Sequence, residues 1–94
     1  MPSRTKILNV LREKGIKISR QRAWIIAALC RHPVVPDVEQ FWLKLRSSKR
    51  VSWATTHSTI RILADIGVLE KFTHSRRNAG YKLHPNFLPA LKEM

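Results

Sequence analysis

The apolar positions of the chain fall into four helical stripes and then switch to alternation. Ile7, Leu8 and Leu11 share one face of a helix expected from about Arg4 to Lys14, with Val10 on its flank. Ser3 or Thr5 is its expected cap, and Gly15 stands where a left-handed C-terminal residue is wanted. Ile16 and Ile18 alternate with Lys17, which marks a short extended connector. Ser19 is a suitable N-cap for a second helix, Arg20 to about Arg31. Trp24, Ile25, Ile26, Ala28, Leu29 and Cys30 give that helix an apolar arc wide enough for the most buried position. Pro33 ends it, because a proline pushes the preceding residue out of helical geometry.

Asp37 and Gln40 have the spacing of a capping box, and Val38, Phe41, Trp42 and Leu45 follow at i, i+3, i+4 and i+7. Ser47 to Arg50 is a polar linker. Ser52 then caps a fourth helix, about Trp53 to Ile66, which Gly67 stops. Its expected inward set is Thr56, Ile60, Leu63 and Ile66 or Ala64. Its expected outward set is Thr55, His57, Ser58, Thr59, Arg61 and Ile62. A face meant only for solvent usually carries more charge, whereas this one suits close approach to a surface. Val68 to Thr73 alternates as a strand does, His74 to Gly80 is rich in turn residues, and Tyr81 to Leu83 alternates again. The pattern is a β-hairpin with Arg76 and Arg77 near its tip. The tail from Asn86 holds Phe87, Leu88 and Leu91, enough for one short helix.

The expected fold is therefore mainly α with a small β-hairpin, an α+β winged helix-turn-helix. A chain of 94 residues holds one core, so it forms a single domain, 1–94, with the wing at about 68–83 and a tail at 84–94. The third and fourth helices make the helix-turn-helix. The fourth is the one offered to the DNA major groove, which is about 12 Å wide and admits a helix.

Composition turns the fold into a statement about partners. Lys and Arg number 18 against 6 Asp and Glu, a net charge of +12, while 44% of the residues are hydrophobic. A normal core with so large a positive excess points to a polyanion, here double-stranded DNA. Thr55, His57, Ser58 and Arg61 are expected to face the major groove. Arg76 and Arg77 would approach the backbone or minor groove, and Lys17, Arg20, Arg22, Lys49 and Arg50 the phosphates. Trp24, Phe41 and Trp42 read as core, while Trp53, at a helix start beside the linker, is either core or a partly exposed anchor.

Other chemistry finds little support. One cysteine, Cys30, makes no internal disulfide, and His32, His57, His74 and His84 lack the close repeated spacing of a zinc site, so neither metal nor cofactor is expected. No triad spacing and no glycine-rich phosphate loop is present, and so small a core leaves little room for a deep pocket. Neither an enzyme nor a small-molecule substrate is expected. The longest apolar run, Trp24 to Cys30, is too short for a membrane, and the first residues do not resemble a signal peptide. A cytoplasmic, nucleoid-associated protein is the expectation. Two other readings stay open: a winged-helix module that binds protein, and a nonspecific nucleic-acid binder.

The stretch Leu11-Arg12-Glu13-Lys14-Gly15-Ile16-Lys17-Ile18-Ser19-Arg20-Gln21-Arg22 resembles the opening of the ferric uptake regulator family, roughly L-x-x-x-G-[LI]-[KR]-[VI]-T-x-x-R. Ser52-Trp53-Ala54-Thr55-Thr56-His57-Ser58-Thr59-Ile60, continuing to Leu63 and Gly67-Val68-Leu69, is similar to its S-x-A-T-V-Y-R-T-L-x-x-L-x-x-x-G-L-V. The resemblance covers about residues 4 to 83 and implies a small transcriptional regulator of bacterial or archaeal type. Where the family has Tyr-Arg on the recognition helix this chain has His57-Ser58, so the family's operator is not carried over. The family's metal-binding and dimerisation half has no counterpart before Met94, so metal sensing is not carried over either. A dimer would then have to use the first helix and the tail, and a weak symmetric one is expected through Val10, Phe87, Leu88 and Leu91.

Overall fold

Short polar side chains decide where three of the helices begin. A computed structural model describes residues 2–73 and 79–87, with side chains from Arg4 onward. Its helices are α1 (Pro2–Glu13), α2 (Arg20–Arg31), α3 (Val38–Arg46) and α4 (Trp53–Asp65). Ser19 Oγ accepts from the Arg22 amide, Asp37 from those of Glu39 and Gln40, and Ser52 Oγ from that of Thr55. Gln40 makes no return bond among the described residues, so only the Asp37 half of the capping box is present. In contrast to the expectation, neither Ser3 nor Thr5 caps α1, because the helix already begins at Pro2. A proline suits that first position, where its missing N–H would have had no helical partner anyway.

Glycines end α1 and α4. Gly15 and Gly67 have φ of 72° and 86°, the left-handed region that suits glycine. Each turn is closed by a backbone bond across it, Ile16 N to Leu11 O and Val68 N to Leu63 O, both 2.9 Å.

The helices pack around α2, which touches α1 on one side and α4 on the other. Ile7 and Leu11 from α1, Ile25, Ile26 and Leu29 from α2, Leu45 from α3, and Ile60 and Leu63 from α4 are buried together. The expected faces of α4 need correction at three places. Thr59 is only 2% exposed and completes an inward stripe with Thr56, Ile60 and Leu63. Ile62 is half-buried against the core, and Thr55 is half-buried as well. Thr59 turns inward despite its hydroxyl, since burial follows helical position rather than the chemistry of one side chain.

Thr56 Oγ1 donates to Ser52 O at 2.9 Å, but Thr59 Oγ1 has no partner among the described residues. An unpartnered buried hydroxyl loses its water without compensation. Thr59→Val, close in shape, is therefore expected to stabilise the fold by about 1 kcal/mol. In thermal unfolding that is a rise of roughly 4–8 °C for a domain of this size. A midpoint that falls instead would show that the hydroxyl is satisfied.

The sheet has one strand more than the expected hairpin. It contains β1 (Val34–Val35), β2 (Leu69–Thr73) and β3 (Ala79–Leu83), in the order β1-β3-β2, all antiparallel. Val35 faces Tyr81 across the β1–β3 ladder, and Leu83 N donates to Pro33 O at 2.9 Å. In the hairpin Phe72 faces Gly80, and its ring lies so close over the glycine that a Cβ has no room. Residues 74–78, which include Arg76 and Arg77, lie outside the described residues.

A short 3-10 turn, Pro85–Phe87, returns the chain to α1. Phe87, expected to be free for a partner, is instead buried in the chain's own core, with the Lys6 ammonium 5.4 Å from its ring centroid. Lys6 Nζ also donates to Asn86 O at 2.7 Å. Val10 packs against the same core. Two of the four residues assigned to a dimer contact are thus used internally, and Leu88 and Leu91 lie outside the described residues. Among the described residues no helix is long and apolar enough to cross a membrane.

Candidate nucleic-acid interface

The starts of α2 and α4 are held together by contacts distant in sequence. Gln21 Oε1 accepts from the Ser52 amide at 3.2 Å, joining α2 to the cap of α4. The Lys49 ammonium lies 5.2 Å from the Trp24 ring centroid, which folds the α3–α4 linker onto α2. Arg22 Nη1 donates to Lys17 O at 2.7 Å and fixes the connector before α2. These three ties draw together three basic segments at one corner: the connector with Lys17, the start of α2 with Arg20 and Arg22, and the linker with Lys49 and Arg50. Lys17, Arg20, Lys49 and Arg50 are exposed, whereas Arg22 is half-buried and partly committed to the connector. Neither α2 nor α4 has an acidic residue in its first turn, so the positive ends of both helix dipoles stand unopposed.

Along α4 the exposed face is Ala54, His57, Ser58, Arg61 and Asp65, spaced i, i+3, i+4, i+7 and i+11, with Trp53 exposed at its start. His57, Ser58 and Arg61 stand where the sequence put them. Thr55 does not belong to that face in the same way: its hydroxyl accepts from Ser52 Oγ at 2.9 Å and supports the cap. His57 and Arg61 also border a depression shared with Lys71 and Tyr81, which continues the face from α4 onto the sheet.

A ladder of rings flanks the start of this face. The Arg46 guanidinium lies 4.9 Å from the Trp42 ring centroid, Trp42 meets Trp53 at 5.6 Å and 67°, and Trp53 meets His57 at 5.5 Å and 36°. Trp42 is not the plain core residue expected: it is half-buried outside the core cluster, and its indole N–H donates to Val51 O at 2.9 Å. Arg46, Lys49 and Arg50 line an open groove beside it.

Gln21, Lys71 and Trp53 are not among the expected DNA contacts, yet they adjoin the cap or the exposed face of α4. Lys71 was within reach, since alternation along β2 turns residues 71 and 73 outward. Trp53 stood at the right place with its role undecided. Gln21 gave no local signal, because its partner is 31 residues away.

Among the described residues no three of His, Cys, Asp and Glu come together as a metal would require. His84 Nδ1 accepts from the Asn86 amide at 3.1 Å, and its Nε2 lies 3.9 Å from Glu70 Oε2. Glu13 and Asp65 form no ion pair among the described residues.

Compared with curated proteins one by one, the chain finds no match. The model of the ferric uptake regulator family matches residues 13–87, from the end of α1 through every strand to the 3-10 turn. That stretch includes the helix-turn-helix, the wing strands and the basic corner. The chain belongs to the ferric uptake regulator family, whose members are DNA-binding regulators of transcription.

Proposed function

We propose that the protein regulates transcription by binding double-stranded DNA with α4 in the major groove and the β2–β3 wing on the backbone or minor groove. One observation carries this reading: the small, uncharged steps Ala54 and Ser58, with His57, lie between basic groups on both sides. Lys49 and Arg50 stand at the start of α4, and Arg61 and Lys71 stand toward the sheet, where they outnumber the one carboxylate of that depression, Asp65. Small side chains let the helix backbone come near the base edges, while the flanking cations neutralise phosphates.

The roles divide accordingly. His57, Ser58 and Arg61 read bases, with Thr55 at the edge of that set. Lys17, Arg20, Lys49 and Arg50 hold phosphates, as does Arg22 with the donors it does not spend on Lys17. Arg76 and Arg77 are assigned to the wing by their position between β2 and β3.

Phosphate contacts have a salt signature, about 0.9 in the slope of log affinity against log salt for each contact. Replacing Lys49 and Arg50 together with Ala is expected to reduce the slope by up to about 2 and to weaken all duplexes alike. The sequence selected from a random duplex pool should not change. An unchanged slope would place the linker away from DNA, and a pool that yields no preferred sequence would leave only nonspecific binding.

A further inference from the structure

Trp53 is an exposed aromatic residue that neither the core nor the basic rim explains. It is the first residue of α4 and is 41% exposed. A large apolar side chain left in water forgoes the stabilisation that burial would give it. Here it is also held in place. Trp42 stands edge-on to it, fixed by its bond to Val51 O and by Arg46 over its ring, and His57 lies on another side. A ring with two torsions already restrained loses little freedom on contact with a partner.

The surroundings say what that partner is. Trp53 shares a shallow depression with Ala54, His57, Ser58 and Arg61, the face proposed to read bases. Ala54 and Ser58 are short, so the indole is the main apolar surface there. The first turn of a recognition helix meets base edges in the major groove. Among the groups that base pairs present there, the apolar one is the C5-methyl of thymine. We infer that Trp53 is a specificity-determining residue that packs on the C5-methyl group of a thymine. The inference rests on the DNA-binding reading above.

Its test removes only that methyl group. The preferred duplex is first selected from a random pool with the unaltered chain. Each thymine in it is then replaced in turn by deoxyuridine, and binding is measured for the unaltered chain, Trp53→Ala and Trp53→Phe. At one or two positions the unaltered chain should lose about fourfold in affinity, the worth of burying one methyl group. Trp53→Ala should bind the two duplexes equally, and Trp53→Phe should keep part of the preference. The salt slope should be the same in all three proteins, since no charge is changed. A cooperative thermal transition in each variant shows that it is folded.

If demethylation affects Trp53→Ala as it affects the unaltered chain, the thymine contact is refuted while the DNA-binding reading stands. Uniform weakening of all duplexes by Trp53→Ala, with the thymine preference kept, would refute it equally and assign the indole to the backbone. A pool without any preferred sequence would overturn sequence reading by α4, and this contact with it.

Discussion

Leu63→Ala is expected to cost the fold about 3 kcal/mol, within the range measured for removing a buried leucine side chain. Leu63 is fully buried on α4, in the stripe with Thr56, Thr59 and Ile60 that faces the core. Its backbone carbonyl also accepts from Val68 N where α4 gives way to the sheet. The packing around it comes from several elements, so the site cannot simply collapse, and a cavity adds to the lost transfer energy. Against a total stability of roughly 5–15 kcal/mol, this is a large fraction. The thermal midpoint should fall by roughly 12–24 °C, at 4–8 °C per kcal/mol for a domain of this size. Leu43→Ala is the comparison: Leu43 is exposed on α3, and a surface change of this kind is usually worth within about 0.5 kcal/mol. Equal effects of the two substitutions would mean that α4 is not anchored through its inner stripe.

Ser58→Arg should change which sequence the protein prefers while leaving it folded. Ser58 is exposed on α4, one residue after His57 and three before Arg61, with no structural bond to lose among the described residues. An arginine there could pair bidentately with a guanine, which is worth about 1–3 kcal/mol of discrimination against the wrong base. That corresponds to between fivefold and more than a hundredfold at one position of the site. A new guanine should therefore appear in duplexes selected from a random pool, at a position where the unaltered chain has another preference. The added positive charge alone would raise affinity for every duplex, so the readout is the sequence and not the strength of binding. Identical selected sequences for the two proteins would remove α4 from the role of reader.

The parts of the fold that were legible in the sequence are those fixed by neighbours along the chain. Ser19, Asp37 and Ser52 each accept from an amide two or three residues ahead, and Gly15 and Gly67 end helices a few residues back. The inner stripes of α2 and α4 follow from helical periodicity for the same reason. What was missed is non-local. Val34 and Val35 are too few to show alternation, and they become a strand only because β3 arrives 46 or more residues later. Gln21 likewise acquires a role only when Ser52 is placed beside it.

The candidate face divides in the same way. The exposure of His57, Ser58 and Arg61 follows from their spacing on one helix. Thr55 and Thr59 depart from the expected outward set for separate local reasons: Thr55 is half-buried with its hydroxyl bonded at the cap, and Thr59 is carried inward by helical position despite its polarity. Whether scattered cations form one surface cannot be read from their order in the chain. Lys49 is brought to α2 by Trp24, and the cap of α4 by Gln21, both of which read as ordinary members of α2.

The short β1 strand also bears on self-aggregation. A hairpin standing alone would leave β3 with a row of unpaired amides and carbonyls, onto which another chain could add a strand. β1 occupies that side of β3 at Tyr81 and Lys82, and β1 itself lies between Pro33 and Pro36. Prolines have no N–H to offer, so a strand approaching β1 from outside finds at most two residues able to pair. The opposite edge, β2, carries the charges of Glu70 and Lys71, which oppose stacking by other copies. The two valines and the prolines beside them thus leave a sheet of three short strands with little free edge on which a further strand could grow.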